Sequence, residues 1–365
     1  MLPAFDKDFS ERVASFCIGA QSGYVENENA SQFGLGFTKW DGKSGFTRRF
    51  GQPSPVSRDT GGKFVTSNSA LRFIRACHTF TELESLGHCG PARLDMNDAR
   101  DYGVSEATGV SAPVLVYNRR ADAKNLILWP LAPYHTLGNE KFVHPEPIDT
   151  IPFEAKTDIA FWRGNLSGRP NKALAPDVAQ RRYAVAIMKS IVTATSEEEL
   201  WQYHEELMGI TRYNFVLRYY KSADMNVALT LRGKNKKARN SQLLAPLCKH
   251  RMAMSWFFNS KYLFSLSGND TGSNFLMAAN SNSVVLKEED GWDLFYTNEF
   301  RPWEHYIPLT LGATDAEEKL DWAKQNPKAC KEMVSASQAV CAKFASPENR
   351  RMYLSEILAF LRKAH

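Results

Sequence analysis

Residues 261–309 constrain the fold more than any other part of this chain: KYLFSLSGNDTGSNFLMAANSNSVVLKEEDGWDLFYTNEFRPWEHYIPL. Lys261–Leu266 is an apolar run of strand length. Gly268-Asn269-Asp270-Thr271-Gly272-Ser273 is a small, polar turn, rich in residues that punctuate regular structure. Asn274–Asn280 reads as a helix, and Ser283–Lys287 as a second buried strand. Strand, turn, helix, strand is the order of half a Rossmann unit. Such a turn presents backbone N–H groups at the start of a helix, where a phosphate can sit.

The same alternation of strands and helices extends over most of the chain. With 365 residues, two domains are expected rather than one. Residues 1–90 are poorly periodic, with turn signals at Trp40-Asp-Gly42 and Asp59-Thr-Gly-Gly62. Ser69–Ala76 and Thr79–Leu86 read as a broken amphipathic helix. Ala112–Tyr117, Asn125–Trp129 and Ile159–Arg163 read as buried strands. Ala179–Thr193 is a helix. Ser196–Met208 is another, opened by the capping-box pattern Ser196-Glu-Glu-Glu199. Three helical segments follow at Asp315–Gln325, Pro327–Phe344 and Pro347–Lys363. His144-Pro-Glu-Pro147 and Ile151-Pro152 interrupt any regular element, which sets the domain boundary near residues 145–156. The class is α/β in both halves.

Composition excludes several roles. A formal charge of +5 is too weak to indicate nucleic acid and fits a small anionic ligand or an acidic membrane surface. The densest basic run is Arg232-Gly-Lys-Asn-Lys-Lys-Ala-Arg239, either a solvated loop or a contact for a phosphorylated acceptor or anionic lipid. No stretch of about 18 apolar residues is present to span a bilayer. The first residues lack the basic and apolar segments of a secretion signal. The six scattered cysteines are therefore expected to be reduced thiols. The expected location is cytoplasmic, with room for a peripheral contact at the inner face of the membrane.

Three landmarks resemble glycosyltransferase family 90, which includes capsule-associated xylosyltransferases, protein O-glucosyltransferases and bacterial lipopolysaccharide sugar transferases. The first is Asp95-Met-Asn-Asp-Ala-Arg-Asp-Tyr-Gly103, followed by the strand Ala112–Tyr117. It is similar to an Arg-Asp-Tyr/Trp-Pro segment whose Asp is the catalytic base, which implies that role for Asp101. Gly103 stands where the family often has proline. The second is Phe161-Trp-Arg-Gly-Asn165, similar to a Phe-Arg-Gly-Ser turn. It implies donor contacts from Arg163, Gly164 and Asn165. A further arginine facing the diphosphate is implied downstream; Arg181 is the first choice, with Arg169 and Arg182 as alternatives. The third is the opening stretch, whose ending Arg301-Pro-Trp-Glu-His-Tyr-Ile-Pro308 resembles the family's Lys-Pro-Trp-Val-His-Tyr-Ile/Val-Pro. Asn274 stands where O-glucosyltransferases carry a phosphate-binding arginine, and the Gly-Asn-Asp turn looks more like the lipopolysaccharide-type members.

The resemblance implies a GT-B architecture, two Rossmann-like domains facing a cleft, with a helical C-terminal tail. Residues 1–150 would form the acceptor-side domain and 151–345 the nucleotide-sugar-binding domain. Residues 346–365 would cross back as a helix. It implies an inverting transferase that moves a hexose or pentose from a UDP-sugar to a hydroxyl of a glycan or glycolipid acceptor. No cofactor and no metal are expected. Gly268, Asn269, Asp270, Thr271, Gly272 and Ser273 would line the diphosphate. A non-catalytic nucleotide-sugar or glycan binder on the same fold is the competing reading, and a nucleotide-dependent oxidoreductase a third. Each residue also has a plain structural reading: Asp101 as a turn or ion-pair residue, Arg163 as a strand-end residue. Trp303 and His305 read as packing in an aromatic corner, and Trp129 and Tyr134 as core or acceptor-stacking residues.

Other motifs fail on their surroundings. Gly42-Lys43-Ser44 lacks the earlier glycine of a P-loop, because Phe37 stands there. Gly34-Leu-Gly36 lacks the third glycine of a dinucleotide fingerprint. Cys77-His78 and His88-Cys89 do not have zinc-ligand spacing. Asp6-Lys7-Asp8 spells an Asp-x-Asp metal motif, but no strand precedes it.

Overall fold

The computed structural model describes residues 5–98, 100–131, 147–178 and 182–364. In chain order its strands are β1 (Phe37–Trp40), β2 (Phe46–Thr47), β3 (Val56–Arg58), β4 (Phe64–Thr66), β5 (Ala92–Asp95), β6 (Val114–Val116), β7 (Asn118–Arg120), β8 (Leu126–Leu128), β9 (Thr157–Gly164), β10 (Met225–Leu229), β11 (Ser260–Ser265), β12 (Val284–Glu288), β13 (Trp292–Leu294) and β14 (Ile307–Leu309). The chain divides into two compact units. The first holds Met1–Pro145, Gly291–Glu299 and Ala342–His365; the second holds Glu146–Asp290 and Phe300–Cys341. All six cysteines are free thiols.

In the first unit five strands form a sheet ordered β2-β1-β5-β6-β8. β1 is antiparallel to both β2 and β5, whereas β5, β6 and β8 are parallel. This differs from a Rossmann-like sheet in two ways: β1 runs against both its neighbours, and no helix crosses between β6 and β8. A helical crossover needs a dozen or more residues. The segment from β6 to β8 is residues 117–125, and it holds only β7. β7 instead pairs antiparallel with β13, so residues returning from the second unit complete the first. The helix Leu71–Ser85 is continuous rather than broken. Phe73, Ala76, Cys77, Phe80 and Leu83 are all buried and recur every three or four residues, so the apolar stripe runs through His78 and Thr79 without interruption. Asp6 of the Asp-x-Asp triplet is a helix cap: its carboxylate accepts from the N–H of Phe9 at 2.9 Å. The C-terminal helix Pro347–Lys363 packs on the helix Lys7–Ile18, and Asn349 Oδ1 accepts from Asp6 N at 2.8 Å.

The second unit is built on five strands, all parallel, ordered β10-β9-β11-β12-β14. Numbered along this unit, the order is 2-1-3-4-5. The chain steps from β9 outward to β10 and then returns across β9 to lay down β11. The crossovers leave strands covered on both faces, which is why these strands read as near-continuous apolar runs. Trp162, Val227, Leu229, Phe264 and Leu286 meet Ile187, Tyr213, Phe215 and Leu320 in one core. The expected capping box is present: Ser196 Oγ accepts from Glu199 N at 3.2 Å, and the Glu199 carboxylate accepts from Ser196 N at 3.3 Å. The helix Thr211–Tyr219 and strand β10, unassigned from the sequence, complete the sheet and its cover.

Candidate functional site

In an open parallel sheet, ligands bind beyond the carboxyl ends of the strands, where the order reverses direction. Here that point lies between β9 and β11. The two sequence landmarks of this unit occupy it. Gly164 closes β9 and Asn165 follows it; Gly268 to Ser273 follow β11. The loops after the two strands touch. A methyl placed on Gly268 would lie 2.9 Å from Ser167 Oγ, and one placed on Gly168 would lie 3.4 Å from Gly268 O. Gly164 is required for a different reason, since its Cβ would sit 2.3 Å from the Trp162 ring. Asn165 and Ser273 are exposed, Asn269 and Asp270 are half-buried, and Thr271 and Gly272 are buried.

Gly272 is buried against β11. Its Cβ would lie 2.3 Å from Ser265 Oγ and 3.1 Å from the Leu266 backbone, so glycine is needed for packing against β11. Its φ is not in the left-handed region. The following helix is only Phe275–Ala279, shorter than expected. Asn274 turns back on the strand, donating to Phe264 O at 2.9 Å. Little more than one helical turn gives a small dipole, so an anion placed here would depend on individual N–H groups and nearby cations.

The cation beneath both loops is Arg212, which the sequence reading missed. Its guanidinium donates to Asn165 O (3.1 Å), Ser167 Oγ (2.8 Å), Leu266 O (3.0 Å) and Ser267 O (2.8 Å). It therefore ties the loop after β9 to the loop after β11. Burial pushes its pKa down to about 10, against the upward pull of the Asp270 and Glu288 carboxylates. It is still charged at neutral pH. Glu288, fully buried at the end of β12, accepts from Ser267 N (2.8 Å), Thr211 Oγ1 (3.1 Å) and Gly312 N (2.7 Å). No local motif marks either residue; both become visible only once the strands are in register.

Of the sequence-derived arginines, Arg163 points along the sheet. It donates to Trp162 O (2.8 Å), Asn226 O (2.7 Å) and Asn226 Oδ1 (2.6 Å), and stacks 4.6 Å from the Phe161 ring centre. Burial pushes its pKa down to about 10. Arg182 is held by a two-pronged pair with Glu206, at 2.8 and 2.6 Å. Arg169 lies 5.8 Å from the Tyr183 ring centre. Arg181 and Tyr134 lie outside the described residues. His305 is buried, its Nδ1 accepting from Arg301 N at 2.8 Å, and Trp303 packs edge-on against Trp322 at 4.8 Å. Trp129 is fully buried and donates to Glu82 at 2.9 Å, so it is a core residue.

Asp101 belongs to the first unit, on the loop that follows β5. Its neighbours decide where it points. Arg100 turns inward and donates to Asp95 O at 2.9 Å; Tyr102 turns inward and donates to Asp95 Oδ2 at 2.9 Å. The side chain between them faces outward and is 56% exposed, with Arg120 Nε 3.7 Å from its carboxylate. Gly103 does not loosen this loop. It has φ +84°, donates to Thr108 O at 2.7 Å and accepts from Lys124 N at 2.8 Å.

Comparison with known proteins adds to this geometry. The family described as "Glycosyl transferase family 90" matches residues 146–359. Protein O-glucosyltransferase 3 of Rattus norvegicus is 28% identical over 102 residues, covering 28% of this chain and 20% of that protein. Protein O-glucosyltransferase 2 of Danio rerio is 31% identical over 99 residues, covering 27% and 20%. An uncharacterized protein, 179R, of Invertebrate iridescent virus 6 is 19% identical over 218 residues, covering 58% and 17%. The chain thus spans about a fifth of the length of these relatives.

Proposed function

The chain belongs to glycosyltransferase family 90, and on that footing we propose that it transfers a sugar from a UDP-sugar to a hydroxyl of a glycan or glycolipid acceptor, with inversion. The observation that carries the reading is the meeting of two separate motifs, Arg163-Gly-Asn165 and Gly268–Ser273, at the reversal point of a parallel sheet. In the proposed chemistry the acceptor hydroxyl loses its proton as it attacks, and Asp101 takes it. An exposed carboxylate on a tied loop suits a base that must reach an incoming hydroxyl. The anomeric carbon passes through an oxocarbenium-like state. The diphosphate leaves as its negative charge grows, and Arg212 beneath the loops lowers that cost. Asp270 is an acceptor and repels phosphate, so it suits a hydroxyl of the ribose or the sugar. The reading includes no metal, a lipopolysaccharide-type acceptor, a cytoplasmic location with a peripheral membrane contact, and the GT-B architecture.

The test is release of UDP from UDP-glucose, UDP-galactose and UDP-xylose without acceptor, with and without EDTA. Slow UDP release from one donor, unchanged by EDTA, is expected. UDP binding with no release from any donor would establish the non-catalytic reading instead. Loss of release in EDTA, restored by manganese or magnesium, would overturn the metal-free part alone.

A further inference from the structure

A concavity in this unit lies beyond the carboxyl end of β10, one strand outward from the reversal point. It has a volume of about 410 Å³ and is lined by Arg232, Lys236, Arg239, Lys249, His250 and Arg251, with Thr230, Leu231 and Gly233. None of its lining residues is a carboxylate, and the Lys249 ammonium reaches the neutral amide oxygen of Asn226, at 3.5 Å. Two stretches separated in sequence are brought together to make it. Lys249 N donates to Leu229 O at 3.0 Å, and Leu229 bridges in parallel to Cys248. The loop between them is anchored from below, since Leu231, Ala238, Leu244 and Leu247 are all buried in the core of the unit.

A cluster of like charges around one concavity costs free energy through mutual repulsion, and an anion relieves it. Five permanently charged side chains exceed what one carboxylate needs, and they match a ligand with several phosphate oxygens. The backbone links this pocket to the donor motif without merging the two. Thr230 N donates to Gly164 O at 2.8 Å, and Arg163 and Lys249 share Asn226 Oδ1, at 2.6 and 3.5 Å.

We propose that this pocket binds a phosphate-bearing group of the acceptor, separate from the diphosphate of the donor. The proposal rests on the transferase reading for the word acceptor; the anion site itself does not. An acceptor anchored by its phosphate beside β10 would present its hydroxyl at a fixed distance from the loops after β9 and β11. That would make the phosphate a determinant of acceptor choice.

The experiment is calorimetric titration of the full chain with inorganic pyrophosphate, after saturation with UDP. The wild type is compared with the double variant Lys236→Gln/Arg251→Gln. Both residues are exposed, so the fold tolerates their loss. The wild type is expected to bind pyrophosphate on top of UDP, more weakly as salt is added. The double variant should bind it at least about 10-fold more weakly, with unchanged UDP affinity. The charge-conserving pair Lys236→Arg/Arg251→Lys should restore binding. Equal pyrophosphate affinity in wild type and double variant, or no wild-type binding, overturns the proposal. Parallel loss of UDP binding also overturns it, by merging the pocket with the donor site. If the wild type binds no UDP, the transferase reading fails, and the titration without UDP still reads the pocket. A second arm separates the sources of phosphate. Co-sedimentation with phosphatidylglycerol vesicles, absent with phosphatidylcholine and lost in the double variant, assigns a lipid headgroup. Pyrophosphate binding without vesicle binding assigns a phosphorylated glycan.

Discussion

At the scale of single residues, the site divides into side chains that a local motif reveals and side chains that only register reveals. Asp101, the proposed base, is marked by a local motif, and Arg100 and Tyr102 on either side of it are both bound to Asp95 and leave it facing solvent. Asp101→Asn is expected to lower transfer by about 10²–10⁴-fold, the usual contribution of a general base. UDP affinity should stay near wild type, since the candidate donor motifs lie in the other unit. Wild-type turnover in the purified variant would remove Asp101 from the mechanism. Gly103→Pro, the change toward the commoner family residue, should destabilise the first unit by about 3 kcal/mol or more. The position has φ +84° and uses its N–H, whereas proline fixes φ near −65° and has none. A melting temperature equal to wild type would show that the loop rearranges at no cost. Arg212 is of the second kind. As one arginine in Gly-Ile-Thr-Arg it carries no signal, yet it satisfies three carbonyls and a hydroxyl at the reversal point. Arg212→Met should cost about 1–3 kcal/mol of stability for each buried acceptor it leaves unpaired, and weaken UDP binding in whatever remains folded. A stable variant that binds UDP normally would mean that the two loops are held by something else.

At the scale of elements, the strand–turn–helix–strand unit was legible because burial on both faces writes parallel strands as apolar runs. The observed strands Ser260–Ser265 and Val284–Glu288 fall within a residue of the expected ones. The turn between them was legible as a turn but not in its depth. Gly272 reads as a phosphate-loop glycine, yet it sits against Ser265 and Leu266. Gly272→Ala should therefore act first on packing, costing about 1–3 kcal/mol as overpacked cores do. Removing the nearest obstruction with Ser265→Ala should recover part of that loss, a coupling of about 0.5–3 kcal/mol in a double-mutant cycle. Additive effects of the two changes would show that the turn shifts away from the strand. The helix Leu71–Ser85 shows the opposite kind of error. The segments Ser69–Ala76 and Thr79–Leu86 read as a broken helix, but Ala76, Cys77, Thr79 and Phe80 are all buried and keep the stripe intact across the gap. Two polar residues in a row, His78 exposed and Thr79 buried, do not end a helix.

At the scale of the whole molecule, the parallel core of the second unit followed from periodicity, whereas strand order did not. No sequence pattern states that β10 lies outside β9, and that order is what locates the reversal point. The mixed sheet of the first unit was hidden for a related reason: β1 and β2 are short, and β7 finds its partner β13 more than 170 residues later. The closing helix makes the division between units testable. Pro347–Lys363 buries Tyr353, Leu354, Ile357 and Leu358, its Asn349 accepts from Asp6 N, and Arg350 pairs with Glu82 at 2.5 Å. All these contacts lie inside the first unit. A chain ending at Ser346 still contains every residue of the second unit. Truncation there should release the helix Lys7–Ile18, remove hydrogen-exchange protection from it and from Leu71–Ser85, and abolish transfer. Protection in β9, β10, β11 and β12 should remain, and so should UDP affinity, because the candidate donor loops and Arg212 need nothing from the lost helix. If UDP binding disappears while those strands stay protected, the donor site requires residues of the first unit, and the assignment to the loops after β9 and β11 is incomplete. If the strands lose protection together with the first unit, the two units fold as one, and the variants argued above must be read by their effect on the whole chain.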